Sequence, residues 1–110
     1  MDDDDNIPNV LPTYVQILDA LGYSYHVWDT GNSDVEPDLA TLSQYRAVIW
    51  FSGDAFGGSS VAGPGPQAEL DLADYLDNGA CMFLSSQDYY YDSGTTVTPF
   101  MQNYLGVANI

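Results

Sequence analysis

The sequence RAVIWFSG, residues 46–53, limits the classes of fold open to this chain. The run is continuously apolar from Ala47 to Phe51 and is bounded by turn residues, which is typical of a β-strand buried on both faces. Residues 80–86, ACMFLSS, have the same character and predict a second buried strand. Strands of this kind need helices on both faces of their sheet, so we expect an α/β domain.

Helix and strand patterns alternate around these two runs. Helical spacing predicts helices within residues 9–22, 37–45, 67–79 and 98–106. Asn9 and Thr98 are the expected N-caps, and Gly22 and Gly79 are placed to end their helices. Alternating aromatic and polar residues predict a strand over residues 23–28, and residues 107–110 can begin another. The alternation predicts a three-layer, doubly wound, mostly parallel sheet with its ligand crevice at the carboxyl ends of the strands.

Length and charge set the broad class of the protein. With 110 residues and 45% hydrophobic content, residues 1–110 are expected to form a single domain. Sixteen acidic residues face one basic residue, Arg46, for a net charge of −15, which disfavours nucleic-acid and membrane-surface partners and favours cations. Such acidity suits an extracellular protein, or alternatively the cytoplasm of a salt-adapted organism. The single cysteine, Cys81, excludes an internal disulfide.

The predicted strand ends are all acidic, which raises the possibility of a metal site. They carry the segments DDDDN (2–6), WDTGNSD (28–34), FSGDAFGG (51–58) and SSQDYYYD (85–92). Calcium takes six to eight oxygen ligands, and magnesium takes fewer protein carboxylates. The candidate ligands for Ca²⁺ or Mg²⁺ are Asp3, Asp4 and Asp5, with Asp29, Asp54 and Asp88 from neighbouring loops. There is no EF-hand spacing, and a solvated acidic rim without a bound ion is the alternative.

Two segments, LATLSQYRAVIWFSGD (39–54) and LADYLDNGACMFLSSQD (72–88), together with the glycine-rich loop between them, resemble the class I glutamine amidotransferase-like superfamily. The resemblance implies a flavodoxin-like sheet. It is strongest to the divergent, non-catalytic modules that lie beside peptidase and β-sandwich domains in large secreted bacterial proteins. It therefore implies a fragment of a larger protein whose partners are other proteins or other domains of the parent chain.

The same resemblance gives an interpretation of the aspartate run at the start of the chain. Family members begin with a hydrophobic strand that ends in Asp-Asp, and here only its acidic end follows Met1. That strand is expected between the second and third strands, where four charged aspartates cannot replace its apolar body. Three explanations stay open: the chain is a fragment with a truncated first strand, a neighbouring chain supplies the strand, or the sheet closes in another order. Unpaired strand edges would favour a homo-oligomer.

The resemblance also locates the position of the catalytic cysteine, and that position here falls on Ser85 or Ser86. Cys81 lies at the opposite end of the strand, and the only histidine, His26, falls inside the predicted second strand. Asp54 or Asp88 could act as a base only with a raised pKa. We therefore expect a non-enzymatic accessory or interaction domain that can bind a divalent cation at its acidic strand ends. The alternative is a small hydrolase with a serine nucleophile after the strand 81–85.

Two loops permit further interpretations. The glycine-rich residues 53–66 lack a Walker lysine and lie in acidic surroundings, which predicts a mobile loop over the crevice rather than a phosphate site. In DYYYD, residues 88–92, the three tyrosines are suited either to stacking on a sugar or peptide or to packing over the sheet edge.

Overall fold

The computed structural model describes residues 1–6, 8–33, 35–56 and 61–108. Within these residues the chain is mixed α/β, with a two-stranded parallel sheet and five helices. In chain order the elements are α1 (Leu11–Ala20), α2 (Leu39–Leu42), β1 (Ala47–Gly53), α3 (Pro66–Asp77), β2 (Cys81–Ser86), α4 (Tyr89–Asp92) and α5 (Pro99–Tyr104).

The sheet is extended at one side by the first residues of the chain. β1 pairs in parallel with β2, from Ala47 opposite Cys81 to Phe51 opposite Ser85. On the other side of β1, Asp2 forms parallel bridges with both Phe51 and Asp29. The spatial order is therefore residues 28–30, residues 1–3, β1 and β2. This order places the first residues between residues 28–30 and β1, through isolated bridges rather than a full strand.

The two faces of β1 carry different packing because successive side chains of a strand point to opposite sides. Trp50 is completely buried in the core, which also contains Leu42, Ala68, Leu72, Tyr75 and Phe100 from α2, α3 and α5. Phe51 points to the other side and stacks on Tyr14 of α1, with ring centroids 4.1 Å apart and an interplanar angle of 7°. Helices therefore lie on both faces of β1.

The starts of the helices agree only in part with the expected caps. Thr98 caps α5 as predicted, because its hydroxyl accepts the Met101 backbone N–H at 3.1 Å. Asn9 is not the N-cap of α1, a position held by Val10. Asn9 lies one residue earlier, where its side-chain oxygen accepts the Leu11 N–H at 3.1 Å. Gly22 follows α1 with a φ of +73°, the left-handed conformation that glycine adopts at helix ends.

Two strand predictions were wrong in ways that expose apolar surface. Residues 23–28 do not form a strand, because among the described residues the sheet reaches this segment only where Asp2 donates its N–H to Trp28 O and bridges Asp29. β2 is not buried on both faces, since Phe83 is 57% exposed and Cys81 is also exposed. The residues described contain no element that covers that face. The expected strand at 107–110 is absent at 107–108, and residues 109–110 lie outside the described ranges.

Candidate functional site

The aspartate run lies at the carboxyl ends of the strands, in the interior of the domain. Asp2, Asp3 and Asp4 are 2%, 3% and 1% exposed, so they do not form a solvated rim. The backbone explains this burial, because Asp2 donates its N–H to Trp28 O at 2.7 Å and Asp3 donates its N–H to Phe51 O at 3.0 Å. The alternation of a strand then sends Asp2 and Asp4 to one face and Asp3 to the other.

Asp3 is hydrogen-bonded to Trp50, which is completely buried in the core. Its Oδ2 accepts the indole N–H of Trp50 at 3.1 Å. Burial raises the pKa of the Asp3 carboxyl to about 7; the Trp50 bond acts against this shift and the negative charge of Glu36 adds to it. Near neutral pH this buried group therefore exchanges a proton rather than standing as a permanent anion.

Asp4 fixes the connection between the sheet and α1. Its Oδ1 accepts the Asn6 backbone N–H at 2.7 Å, and its Oδ2 accepts the Val10 N–H at 2.5 Å. Because Val10 is the N-cap residue of α1, the carboxylate holds the chain at the point where the helix begins. Charge-assisted bonds of this kind compensate a buried carboxylate for lost hydration.

Asp2 is the least satisfied of these groups. Among the described residues, neither of its buried carboxylate oxygens has a hydrogen-bond partner. Burial, reinforced by the Asp4 carboxylate on the same face, raises the pKa of Asp2 to about 6. Sequence reasoning missed Asp2 as a special position, because the run of four aspartates does not show which member points into apolar surroundings.

The other proposed metal ligands have different environments, although Asp29 lies beside Asp2 across a β-bridge. Asp29 uses Oδ1 to accept the Gly31 N–H at 2.7 Å, and Asp54 is exposed beyond β1. Asp88 precedes α4, and Asp5 lies in a left-handed turn with φ of +53°. Within residues 1–6, 8–33, 35–56 and 61–108, no group of three or more acidic, histidine or cysteine side chains could hold a metal ion. The proposed site for Ca²⁺ or Mg²⁺ therefore stays a prediction from the sequence, without a ligand cluster among the described residues.

The candidate serine nucleophiles lie within β2 and not on a turn after it. Ser86 donates its hydroxyl to the Ala62 carbonyl oxygen at 2.6 Å, a bond that attaches the glycine-rich loop to the sheet. Ser85 is half-buried opposite Phe51. His26 lies within the unpaired residues 23–28, where its Nδ1 is 3.2 Å from the Tyr45 hydroxyl. The histidine thus pairs with a tyrosine and not with either serine.

Two glutamates that sequence reasoning did not single out hold the loops around the strand ends. Glu36 Oε1 accepts the Gly65 N–H at 2.8 Å. Glu69 accepts hydrogen bonds from the hydroxyls of Tyr89 and Thr98. Residues 61–66 of the predicted mobile loop are therefore anchored, while residues 57–60 of the same loop lie outside the described ranges. Glu69 lies in the first turn of α3, where acidic residues are common. The sequence therefore gives no sign of its contacts with Tyr89 and Thr98.

The three tyrosines of α4 have different environments. Tyr89 is buried, and burial raises the pKa of its phenol, with the Glu69 bond adding to the shift. Tyr90 donates its hydroxyl to the Thr95 carbonyl oxygen at 2.7 Å. Tyr91 is 64% exposed and is the member of the three best placed to contact a ligand.

A cavity lies beside β1 and reaches the strand ends at Asp2 and Phe51. This cavity of about 480 Å³ separates residues 23–28 from β1, with Met1 at one end. α1 forms one wall, and Leu42, Tyr45 and Tyr75 lie on the other side. Its lining is predominantly apolar, and its titratable groups are Asp2, His26, the tyrosines and the terminal amino group.

No family model, curated protein or solved structure matches this chain. The resemblance to the amidotransferase-like superfamily accordingly remains a prediction from the sequence. In the described part of the chain, none of the helices has the length and apolar character needed to span a bilayer.

The buried carboxyl of Asp3 predicts an unusual pH dependence of stability. Its folded-state pKa of about 7 lies above the value near 3.9 of an unfolded chain, so the folded state binds the proton more tightly. This contribution to the free energy of unfolding is complete below about pH 4 and is lost as the pH rises through about 7. The variant Asp3→Asn can still accept the Trp50 N–H but does not titrate. We expect the free energy of unfolding of this variant, relative to that of the parent, to be about 2–4 kcal/mol higher at pH 8 than at pH 4.

Urea denaturation at a series of pH values measures this difference. Asp54→Asn is the matched control, because Asp54 is exposed and removal of its charge should leave the pH profile of stability unchanged. Parallel profiles for the parent and Asp3→Asn would contradict the assignment of the raised pKa to Asp3.

The dispersed carboxylates predict that calcium does not stabilise the fold specifically. After chelator treatment, 1 mM Ca²⁺ should leave Tm unchanged beyond the effect of NaCl at matched ionic strength. A site with a Kd of about 10 μM would instead add about 2.7 kcal/mol under those conditions. Differential scanning fluorimetry distinguishes the two, and a calcium-specific rise that disappears in Asp3→Asn or Asp29→Asn would restore the metal hypothesis.

Proposed function

We propose that this chain is a non-enzymatic interaction domain with a doubly wound, flavodoxin-like fold. The observation that carries the proposal is that several polar groups at the strand ends, with Asp2 as an exception, are already engaged in structural hydrogen bonds. Ser86 bonds to Ala62, Asp3 to Trp50, and Asp4 to the backbone at the start of α1. A catalytic site needs a nucleophile with a base in reach, and the described residues offer no such pair at Ser85 or Ser86.

The arrangement of layers supports the finer fold assignment. Parallel pairing in the order of second, first, third and fourth strand segments is the order of flavodoxin-like sheets. α1 packs on the Phe51 face, whereas α2, α3 and α5 pack on the Trp50 face. The charge of −15 supports an extracellular role, and the resemblance to the amidotransferase-like superfamily favours a module of a secreted bacterial protein.

The open face of β2 supports contact with another protein or with a further domain of a parent chain. Phe83 is 57% exposed in the middle of this strand, in register with Ile49 on β1. Large apolar side chains on a sheet face are usually covered, and an open apolar face marks an interaction surface. Tyr91, at 64% exposure, adds an aromatic group beyond the carboxyl end of the same strand.

An active-site probe tests the non-enzymatic assignment against the serine-hydrolase alternative. We expect no covalent labelling of the native chain by a fluorophosphonate probe at neutral pH. Ser86 is held by the Ala62 carbonyl, and among the described residues no base is hydrogen-bonded to Ser85. Mass spectrometry measures the labelling, with a known serine hydrolase as positive control. Labelling that is lost in Ser85→Ala or Ser86→Ala would establish the hydrolase instead.

Self-association tests the proposed contact face. At high concentration, and with salt to screen the net charge, we expect copies of the chain to associate weakly through the open face of β2. Phe83→Ser should abolish this association in sedimentation velocity experiments. Leu70→Ser, which changes a 63% exposed side chain on α3, is the matched control and should leave the association intact. A monomer at every concentration, or equal association of both variants, would count against this face.

A further inference from the structure

The cavity between residues 23–28 and β1 has the shape of an unfilled strand position; we call it the strand slot. Residues 23–28 form one edge and Ala47, Val48 and Ile49 form the other. α1 closes one face, and Leu42, Tyr45 and Tyr75 close the opposite face. The slot is therefore bounded by the same surroundings as a central strand of a three-layer sheet.

The backbone of Met1–Asp3 already occupies the upper end of this slot. The amino group of Met1 donates to Ile49 O at 2.8 Å, and Phe51 donates its N–H to Met1 O at 3.2 Å. On the other edge, Thr30 donates its N–H to Asp2 O at 3.0 Å. Two edges are thus held in parallel register on either side of one short strand, and the register continues beyond it.

Extension of that register gives the pairing of the empty positions. Asp2 lies opposite Asp29 and Phe51, so Met1 is level with Trp28 and Trp50. The next three positions upstream would then face Val27 and Ile49, His26 and Val48, and Tyr25 and Ala47, a length of about 10 Å at 3.3 Å per residue. In the described part of the chain, the backbone N–H groups of Ile49 and Trp28 have no backbone partner on the slot side.

The walls of the slot require apolar side chains from an occupant. The α1 wall consists of Leu11, Tyr14, Val15 and Leu18, and the opposite wall contains Leu42 and Tyr75. Without an occupant, Tyr23 is 64% exposed and Val27 is 40% exposed, although both lie in a segment with strand-like alternation. A strand buried on both faces, rich in Val and Ile, would satisfy both walls.

We infer that the strand slot accepts an apolar β-strand attached in line to the amino group of Met1, paired in parallel with β1 and with residues 23–28. Register decides the source of this strand. A separate peptide would have to stop short of Met1, because its last residue and the Met1 nitrogen would compete for the space of one peptide bond. Only a covalently continuous strand keeps every ladder bond. This inference goes beyond the interaction-domain proposal and does not rest on it.

Extensions of the full chain test the inference. We expect four residues, Val-Ile-Val-Ile, placed directly before Met1 to raise Tm by more than about 5 °C. The same extension should lower the fluorescence of the hydrophobic dye ANS several-fold, because it covers the walls of the slot. Amide hydrogen exchange should slow at Ile49 and Trp28, whose N–H groups gain strand partners.

Two matched extensions separate strand insertion from a general effect of added residues. Val-Ile-Pro-Ile is nearly as apolar but lacks one backbone N–H, so it should give little protection at Ile49 and Trp28. Ser-Asn-Ser-Asn has the same length but cannot satisfy apolar walls. If all three extensions give the same Tm, dye binding and exchange rates, the inference is overturned.

The free peptide acetyl-Val-Ile-Val-Ile-amide, added to the unextended chain, tests the source of the strand. We expect it to give little stabilisation even at millimolar concentration. If it protects Ile49 and Trp28 as well as the attached strand does, the slot belongs to a separate chain and the in-line assignment is overturned. Either result leaves the serine-probe and Phe83 experiments to decide the interaction-domain proposal independently.

Discussion

The backbone pairing of Asp2 is the constraint on which the remaining structure depends. Asp2 forms the β-bridges that join residues 28–30 to β1 in the described part of the chain. Its two neighbours then connect the sheet to everything around it. Asp3 bonds the indole of Trp50 in the main core, and Asp4 holds the backbone at the start of α1. Three consecutive residues therefore fix the sheet, the core and the helix on the opposite face relative to one another.

This arrangement places carboxyl groups where a domain ordinarily places apolar side chains. A buried carboxylate without compensation is costly, and the structure meets that cost in two different ways. Asp4 remains compensated by two backbone N–H donors. For Asp2 and Asp3, burial raises the pKa to about 6 and about 7, so the neutral acid becomes the favoured form as the pH falls below those values. The sequence interpretation treated all four aspartates as permanent anions, and so did not consider this route to burial at the carboxyl end of the central position.

The sequence was most informative where local chemistry alone decides the outcome. The apolar runs placed β1 and β2 within a residue of their observed bounds, and the Thr98-Pro99 start of α5 carried its own cap. Residues 23–28 have an equally good strand pattern but form no strand, because pairing depends on a neighbouring edge that local pattern cannot supply. The site was less predictable for the same reason. Whether Ser86 is a nucleophile or a loop anchor depends on the Ala62 carbonyl, which is distant in the sequence.

The contrast between the strand ends and the strand slot determines where binding energy is available. At the strand ends, Glu36, Glu69 and Ser86 form hydrogen bonds with neighbouring loops and tyrosines. A ligand that used these three side chains would have to break those bonds. The slot and the face around Phe83 instead expose apolar area, whose burial contributes about 25 cal/mol per Å² without loss of any existing bond. A net charge of −15 keeps such surfaces apart between copies at low salt. For both proposed contacts, these terms favour a segment that is attached to the chain or that carries compensating charge.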